Sequence, residues 1–141
     1  MYDLFKPEQP ASLMDFVKAA KSCVHEIDAD ELQRMKAEKP DLLILDVRES
    51  SEHEQGHIEG AHLVPRGIIE AAADPAFPNH DEILVAARNR PIVTYCAAGG
   101  RSAMAAAVLQ MMGFGEVYSL AGGFGGWTQA GKPVVHEARY I

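Results

Sequence analysis

Five short apolar runs along the chain predict five β-strands. The predicted strands are 23–27, 42–46, 62–64, 92–95 and 117–120. The second and fourth runs are apolar at almost every position, which is typical of strands buried on both faces of a parallel sheet. Because helical segments separate the runs, we expect an α/β fold with a parallel five-stranded sheet and helices on both faces.

The segments between the strands carry helix signals. Asp28, followed by Glu31, predicts the start of a helix that Pro40 ends. Further helices are predicted over 67–73, 80–89, 103–112 and 124–130. An amphipathic helix is also predicted before the first strand, where Ser12 and Asp15 form a start signal. The chain therefore divides into an N-terminal helical extension, 1–22, and a main domain, 23–141.

Cys96 lies at the predicted end of the fourth strand, in front of a loop that opens a helix. The loop residues are Ala97, Ala98, Gly99, Gly100, Arg101 and Ser102. Backbone N–H groups and a helix N-terminus converge on such a position, and Arg101 adds a positive charge. Each of these favours the ionised thiol, so we expect a lowered pKa and a nucleophilic Cys96.

The same loop is expected to bind an anion beside the nucleophile. N–H groups from residues 97–102 would form the cradle, and Gly99 and Gly100 can adopt the positive φ angles that such a ring needs. Arg101 either points into the pocket or braces the loop through a carboxylate, and we favour the brace. Ser102 is expected to cap the following helix and to hydrogen-bond the sulfur.

Three ordered motifs resemble the signatures of rhodanese-like sulfurtransferases. The loop has the form Cys96-x-x-Gly99-x-Arg101, the upstream signature corresponds to 45–49 and 52–61, and the downstream signature corresponds to 118–127. The resemblance covers roughly 24–135. It implies a single rhodanese-like domain in which Asp46 and Arg48 support the loop through ionic hydrogen bonds. Asp46 is a plausible partner for either Arg101 or Arg48, and a bracing role is favoured over a catalytic one.

The resemblance implies that Cys96 carries a persulfide during sulfur transfer. The donor would be a small molecule such as thiosulfate or a persulfide, and the acceptor a thiol or cyanide. Because Ala97 and Ala98 are uncharged, thiosulfate is expected to be a poor donor, unless Arg66 reaches the mouth of the loop. A persulfide on a partner protein would need less charge in the pocket. No cofactor and no metal are expected.

Two other interpretations of the loop are kept as alternatives. A binding or regulatory module would keep the fold but show little reactivity at Cys96. A cysteine-dependent phosphatase or arsenate reductase would use a similar loop, but that pattern resembles C-x5-R, whereas Cys96 and Arg101 are separated by four residues. The shorter ring suits a single sulfur atom better than a tetrahedral phosphate.

Composition narrows the classes of partner. The 141 residues carry a net charge of −7, which disfavours nucleic acid as a partner. No apolar run reaches membrane-spanning length, and the N-terminus lacks the features of a secretory signal. With two cysteines and no disulfide framework, the expected location is the reducing cytoplasm.

Three further features are given structural interpretations. His53 to His57 match the H-E-x-x-H zinc motif, but Gly56 inside the motif favours a short helix and a hydrogen-bonded structural His57. Cys23 is expected to be a packed or partly exposed thiol, with a resolving role for Cys96 as the alternative. The glycine-rich turn at 122–126 is expected to allow close packing near the loop, anchored by Trp127.

Overall fold

A computed structural model describes residues 8–136 as a parallel sheet covered by helices. The strands are β1 (His25–Ile27), β2 (Leu43–Asp46), β3 (His62–Leu63), β4 (Ile92–Tyr95) and β5 (Val117–Leu120). All pairings are parallel, and the order across the sheet is β1-β5-β4-β2-β3. The expected fold class is confirmed.

Seven helices occur within the described part of the chain. They are α1 (Leu13–Lys21), α2 (Ala29–Glu38), α3 (Ser50–Gln55), α4 (Ile69–Ala73), α5 (Glu82–Ala86), α6 (Gly100–Met111) and α7 (Gly123–Gln129). None of them is both long enough and apolar enough to cross a membrane.

The two faces of the sheet bury separate apolar cores. Leu45 and Ile92 belong to the core that includes residues of α1, α4, α5 and α6. Ile44 and Val93 point the opposite way, into the core that contains Leu32 of α2 and Trp127 of α7. This alternation explains why the central runs are apolar throughout, since neither face of the sheet meets water.

Helix starts follow the signals in the sequence, with some changes of length. Ser12 and Asp15 form a reciprocal capping box at the start of α1, and the Asp28 side chain accepts the Glu31 N–H at the start of α2. The segment predicted as one helix over 67–73 is a 3₁₀ turn, Arg66–Ile68, followed by α4. The helix predicted over 80–89 is limited to Glu82–Ala86. It begins at Glu82 because Asp81 provides its N-cap and accepts the Leu84 N–H, and the chain turns after it, where the Arg90 N–H donates to the Ala87 carbonyl.

The first three strands are each shorter than predicted: β2 begins at Leu43 rather than at Leu42, and β3 ends at Leu63 rather than at Val64. The first strand differs most. It begins at His25 rather than at Cys23, because the Cys23 N–H donates to the Ala20 carbonyl at 3.1 Å and closes the end of α1.

The register of the sheet positions the functional residues. Asp46 at the end of β2 pairs with Tyr95 at the end of β4, so the residues after both strands emerge at one edge. Ligands bind beyond this carboxyl edge in parallel α/β sheets. Cys96 follows Tyr95 there, and α6 begins four residues later, at Gly100.

Candidate active site

Residues 96–102 curve around the sulfur of Cys96. The Gly99 N–H donates to Sγ at 3.0 Å and the Ser102 N–H donates at 3.4 Å. Gly99 has a φ of +114°, a conformation that glycine adopts at little cost and that turns the chain back over the sulfur. Cys96 is buried, whereas Ala97 and Ala98 are exposed at the rim of the loop.

Hydrogen bonds to the sulfur lower the pKa of Cys96. Burial by itself raises this pKa, because it disfavours the charged thiolate. The Ser102 hydroxyl and the N–H groups of Ser102, Gly99 and Ala98 act in the opposite direction and outweigh burial. The loop therefore favours a thiolate through dipoles and hydrogen bonds.

Ser102 is not the N-cap of the helix, contrary to the sequence-based expectation. Gly99 occupies that position, and α6 begins at Gly100. The helix therefore starts inside the loop, three residues earlier than predicted. Ser102 lies in its first turn, where its N–H is among the helix donors without a helical acceptor and is directed at the sulfur.

A second buried serine lies behind Ser102. The Ser102 and Ser119 hydroxyl oxygens are 2.9 Å apart, and Ser102 Oγ lies 3.5 Å from the Cys96 sulfur. If Ser119 donates to Ser102, the single hydroxyl proton of Ser102 is shared between two acceptors, a thiolate at Cys96 and the Gly99 carbonyl oxygen 3.2 Å away. Sequence reasoning missed Ser119; the one available signal was a small polar residue within the β5 run.

Arg101 braces the loop through a carboxylate. Its Nη1 and Nη2 atoms donate to Oε1 and Oε2 of Glu52 at 2.9 and 3.1 Å. This bidentate pair lowers the pKa of Glu52 to about 2 and raises the pKa of Arg101. This agrees with the favoured interpretation of Arg101 as a residue that braces the loop. The carboxylate that it binds belongs to Glu52 of α3, which was not predicted from the sequence.

Asp46 and Arg48 form a buried pair away from the sulfur. Asp46 Oδ1 accepts the Arg48 N–H and Nε–H, both at 3.0 Å, and Oδ2 accepts Nη2–H at 2.8 Å. Tyr95 and His53 donate to Oδ2 at 3.0 and 2.8 Å. Burial raises the pKa of Asp46, but the bonds from Arg48 and His53 lower it below its ordinary value. Of the two partners expected for Asp46, the structure selects Arg48.

The pair reaches the loop through α7. The Arg48 guanidinium lies 4.3 Å from the ring centroid of Phe124, and the Phe124 N–H donates to the Cys96 carbonyl at 2.7 Å. A Cβ added to Gly123 would lie 2.5 Å from that carbonyl oxygen. The glycine-rich turn thus lets two backbones meet, and Trp127 is buried in the adjacent core.

Within the described part of the chain, the side chains of Arg66 and Cys23 hydrogen-bond to residues outside the Cys96 loop. Arg66 pairs with Glu70 at 3.0 Å, so its charge is already partnered. Cys23 lies two residues before β1. His25, the first residue of β1, pairs with Tyr118 of β5, and Tyr118 pairs in turn with Val93 of β4. Cys23 therefore lies at the amino edge of the sheet, opposite Cys96.

The zinc-like motif has a structural arrangement. Gly56 ends α3, so His57 lies beyond the helix that carries His53. The His57 Nδ1 lies 3.0 Å from the His53 carbonyl oxygen, and the two rings stack with centroids 3.7 Å apart. No group of three or more metal-ligating side chains that could hold a metal ion occurs within residues 8–136.

The amino-acid sequence of this chain is similar to the sequences of known proteins. A sulfurtransferase of Allochromatium vinosum is 34% identical over 117 residues, which cover 79% of this chain and 95% of the relative. A tRNA uridine(34) hydroxylase of Cytophaga hutchinsonii is 30% identical over the whole chain, but the match spans 46% of that longer protein.

A solved structure has a closely similar fold. It belongs to a protein of unknown function from Rhodopseudomonas palustris, described as a possible tyrosine phosphatase. The TM-score is 0.83 at 31% identity, and the superposition covers 92% of this chain and 98% of that one. The family model for the rhodanese-like domain matches residues 28–130. This match spans most of the chain and contains the Cys96 loop and both flanking motifs, so the chain belongs to the rhodanese-like domain family.

Proposed function

We propose that this protein is a sulfurtransferase that carries sulfane sulfur as a persulfide on Cys96. The main support is the arrangement around the sulfur, where the Gly99 and Ser102 N–H groups donate to Sγ at 3.0 and 3.4 Å. A thiolate held by such donors is a competent nucleophile, and the same donors can stabilise the negative charge of a persulfide. The sulfurtransferase relative gives independent support for this reaction class.

The proposed reaction has two half-reactions. The Cys96 thiolate attacks the outer sulfur of thiosulfate or of another sulfane donor, the S–S bond of the donor breaks, and sulfite or a thiolate leaves with the bonding pair. An acceptor thiolate or cyanide then attacks the outer sulfur of the persulfide and restores the Cys96 thiolate. This is covalent catalysis with ping-pong kinetics.

The supporting residues have positioning roles in this proposal. Arg101, held by Glu52, fixes the far side of the loop, and the Asp46–Arg48 pair supports the near side through Phe124. Residues 97–102 form the anion-binding loop. Residues 1–22 are proposed as an extension to the domain at 23–141; α1 is its helix, and residues 1–7 lie outside the described part of the chain.

A phosphatase is the second candidate, because the Rhodopseudomonas palustris protein is described as a possible tyrosine phosphatase. The loop argues against it. Four residues separate Cys96 from Arg101, one fewer than in the C-x5-R pattern, and both terminal nitrogens of Arg101 are engaged by Glu52. The hydroxylase name belongs to a relative of which this chain spans less than half, and it gives no support for hydroxylation here.

Intact-protein mass spectrometry tests the proposal. The reduced protein is incubated separately with thiosulfate and with glutathione persulfide, beside the Cys96→Ala variant and the matched Cys23→Ala control. We expect wild type and Cys23→Ala to gain one sulfur atom that cyanide removes as thiocyanate, and Cys96→Ala to gain none. No gain from either donor, or an equal gain by Cys96→Ala, refutes the proposal. Cys96-dependent hydrolysis of p-nitrophenyl phosphate without sulfur uptake would favour the phosphatase.

A further inference from the structure

The helix α1 carries an exposed apolar surface beside the Cys96 loop. Leu13, Met14 and Phe16 are 68%, 56% and 39% exposed. These are three of the seven large apolar side chains exposed within residues 8–136, and they occur within four consecutive positions. Scattered exposed apolar residues are ordinary, but a contiguous group marks a surface for interaction.

The position of this surface follows from the direction of α1. The helix leads into β1, so its C-terminal end lies at the amino edge of the sheet. The helix α6 begins at the carboxyl edge and ends at the amino edge. The two helices therefore run in the same direction. A Cβ added to Gly100 would lie 3.4 Å from a methyl carbon of Val17, which puts Val17 level with the first residue of α6.

The apolar stripe of α1 continues past the start of α6. Val17 and Ala20 are buried. Leu13 and Met14 precede Val17 by four and three residues and so continue the same stripe by one turn, about 6 Å towards the mouth of the loop. There α6 no longer offers a packing partner, and the stripe reaches solvent next to the loop.

Residues 96–102, at the mouth of the loop, include no unpaired cationic side chain. Ala97 and Ala98 are exposed and uncharged, and Arg101, the one charged residue in 96–102, is paired with Glu52. Glu49 is exposed nearby, and its charge contributes to the raised pKa of Arg101. A small dianion therefore finds N–H dipoles but no unpaired cation on the loop.

We propose that Leu13, Met14, Phe16, Ala97 and Ala98 form a docking surface for a protein that delivers sulfur as a cysteine persulfide. This inference rests on the proposed function and names its donor class. The matching partner surface would bear apolar residues around the persulfide and basic residues at the margin, to complement Glu49 and the net charge of −7.

Sulfur delivery by such a donor is chemically balanced. The Cys96 thiolate attacks the outer sulfur of the partner's R–S–SH group, the S–S bond breaks, and R–S⁻ leaves with the bonding pair. The departing R–S⁻ takes the proton of the transferred S–H group, so the products are the Cys96 persulfide anion and R–SH. One negative charge is present before and after this step, whereas attack on thiosulfate brings three negative charges together at the loop.

The test compares donors that differ only around the persulfide. One synthetic peptide carries a cysteine persulfide flanked by leucine, phenylalanine and arginine. A second has serine in place of the apolar residues, and glutathione persulfide is the small donor. Rates of transfer to cyanide are measured on the full chain for wild type, Leu13→Ser/Phe16→Ser and the matched control Met111→Ser, which removes an exposed apolar side chain at the far end of α6.

We expect the double variant to raise KM for the apolar peptide by about tenfold or more, with kcat unchanged, because burial of side chains of this size contributes at least that factor to affinity. The other two donors and the Met111→Ser control should be unaffected. A similar KM for the apolar and serine peptides in wild type overturns the inference, as does an equal effect of the double variant on all donors. Uptake of sulfur from no donor at all would instead refute the proposed function.

Two other occupants of the surface have their own signatures. A dimer that the double variant dissociates at assay concentration would assign the surface to a second copy of the chain. A fall in KM when residues 1–7 are removed, seen in wild type but not in the double variant, would assign it to the chain's own N-terminus. Either result overturns the docking proposal.

Discussion

Substitution of Asp46 by asparagine should destabilise the protein strongly. Asp46 is fully buried and accepts hydrogen bonds from Arg48, Tyr95 and His53. The Arg48 side chain is 5% exposed, so water cannot replace the lost carboxylate. Asparagine carries no charge. Its side-chain NH₂ group would face Arg48, Tyr95 and His53, which also donate hydrogen bonds.

The expected loss follows from the buried arginine left without its counter-ion. Breaking a buried ion pair from one side costs about 3–5 kcal/mol. The free energy of unfolding of a domain is about 5–15 kcal/mol, so the variant would lose a large share of it. Part of this cost should be recovered in Asp46→Asn/Arg48→Met, because replacing both charges with apolar or neutral groups removes the unpaired charge.

Urea unfolding measures the effect, with the fluorescence of the single tryptophan, Trp127, as the probe. The buried indole reports loss of the core beside α7. A loss smaller than about 1 kcal/mol would show that the pair is effectively solvated and would refute this reasoning. So would a double variant no more stable than Asp46→Asn.

Three further predictions concern the loop and its contacts. Ser102→Ala should raise the pKa of Cys96 and slow its alkylation by iodoacetamide at neutral pH about three- to tenfold, because a hydrogen bond to the thiolate is lost. Gly123→Ala should lower the free energy of unfolding in urea by about 3 kcal/mol or more through a clash with backbone, whereas Gly131→Ala, which has open space and the same sign of φ, should lose about 1–2 kcal/mol. Glu52→Gln should flatten the fall in stability in acid, measured as the free energy of unfolding between pH 4.5 and 2. The pKa of Glu52 is lowered to about 2, so its contribution is present above its unfolded pKa and is lost as pH falls.

Each of these predictions has an opposing result. An unchanged pH profile in Ser102→Ala would leave the N–H groups as the whole source of the lowered pKa. Equal losses in the two glycine variants would mean that positive φ, rather than the close approach to Cys96, sets the cost. The Glu52 contribution should also be below about 1 kcal/mol and smaller at high salt, because both partners are about one-third exposed. A salt-independent difference would contradict that view.

Local signals in the sequence were sufficient for the α/β fold class and for several element bounds. The β4 and β5 bounds agree with the predicted runs, and α1 and α2 begin at the predicted caps. These features depend on residues within one turn or one strand of each other. The C-terminal end of α5 could not be predicted from local signals, because Arg88 and Arg90 contact distant segments instead of extending the helix.

Partners across the sheet were harder to predict. Both Asp46 and Glu52 were visible as acidic residues of the upstream signature, but either could have met Arg101. Three-dimensional placement decides between them: Asp46 ends β2 and turns into the core, whereas Glu52 lies in the first turn of α3 and reaches the loop. Ser119 was hidden for the same reason, since its role depends on contact with a residue 17 positions away.

The placement of the charges has a consequence for the proposed reaction. Both arginines near the loop are paired with carboxylates, so the sulfur is stabilised by neutral N–H and hydroxyl donors. An unpaired cation against the sulfur would stabilise the thiolate further, but it would also hold the anionic persulfide more tightly and slow its attack by the acceptor. Interactions that favour a ground state as much as the transition state do not accelerate a step. Thiolate and persulfide each carry a single negative charge, and a ring of dipoles suits both without trapping either. A loop that must release its sulfur is therefore better served by arginines that brace it than by arginines that bind the sulfur.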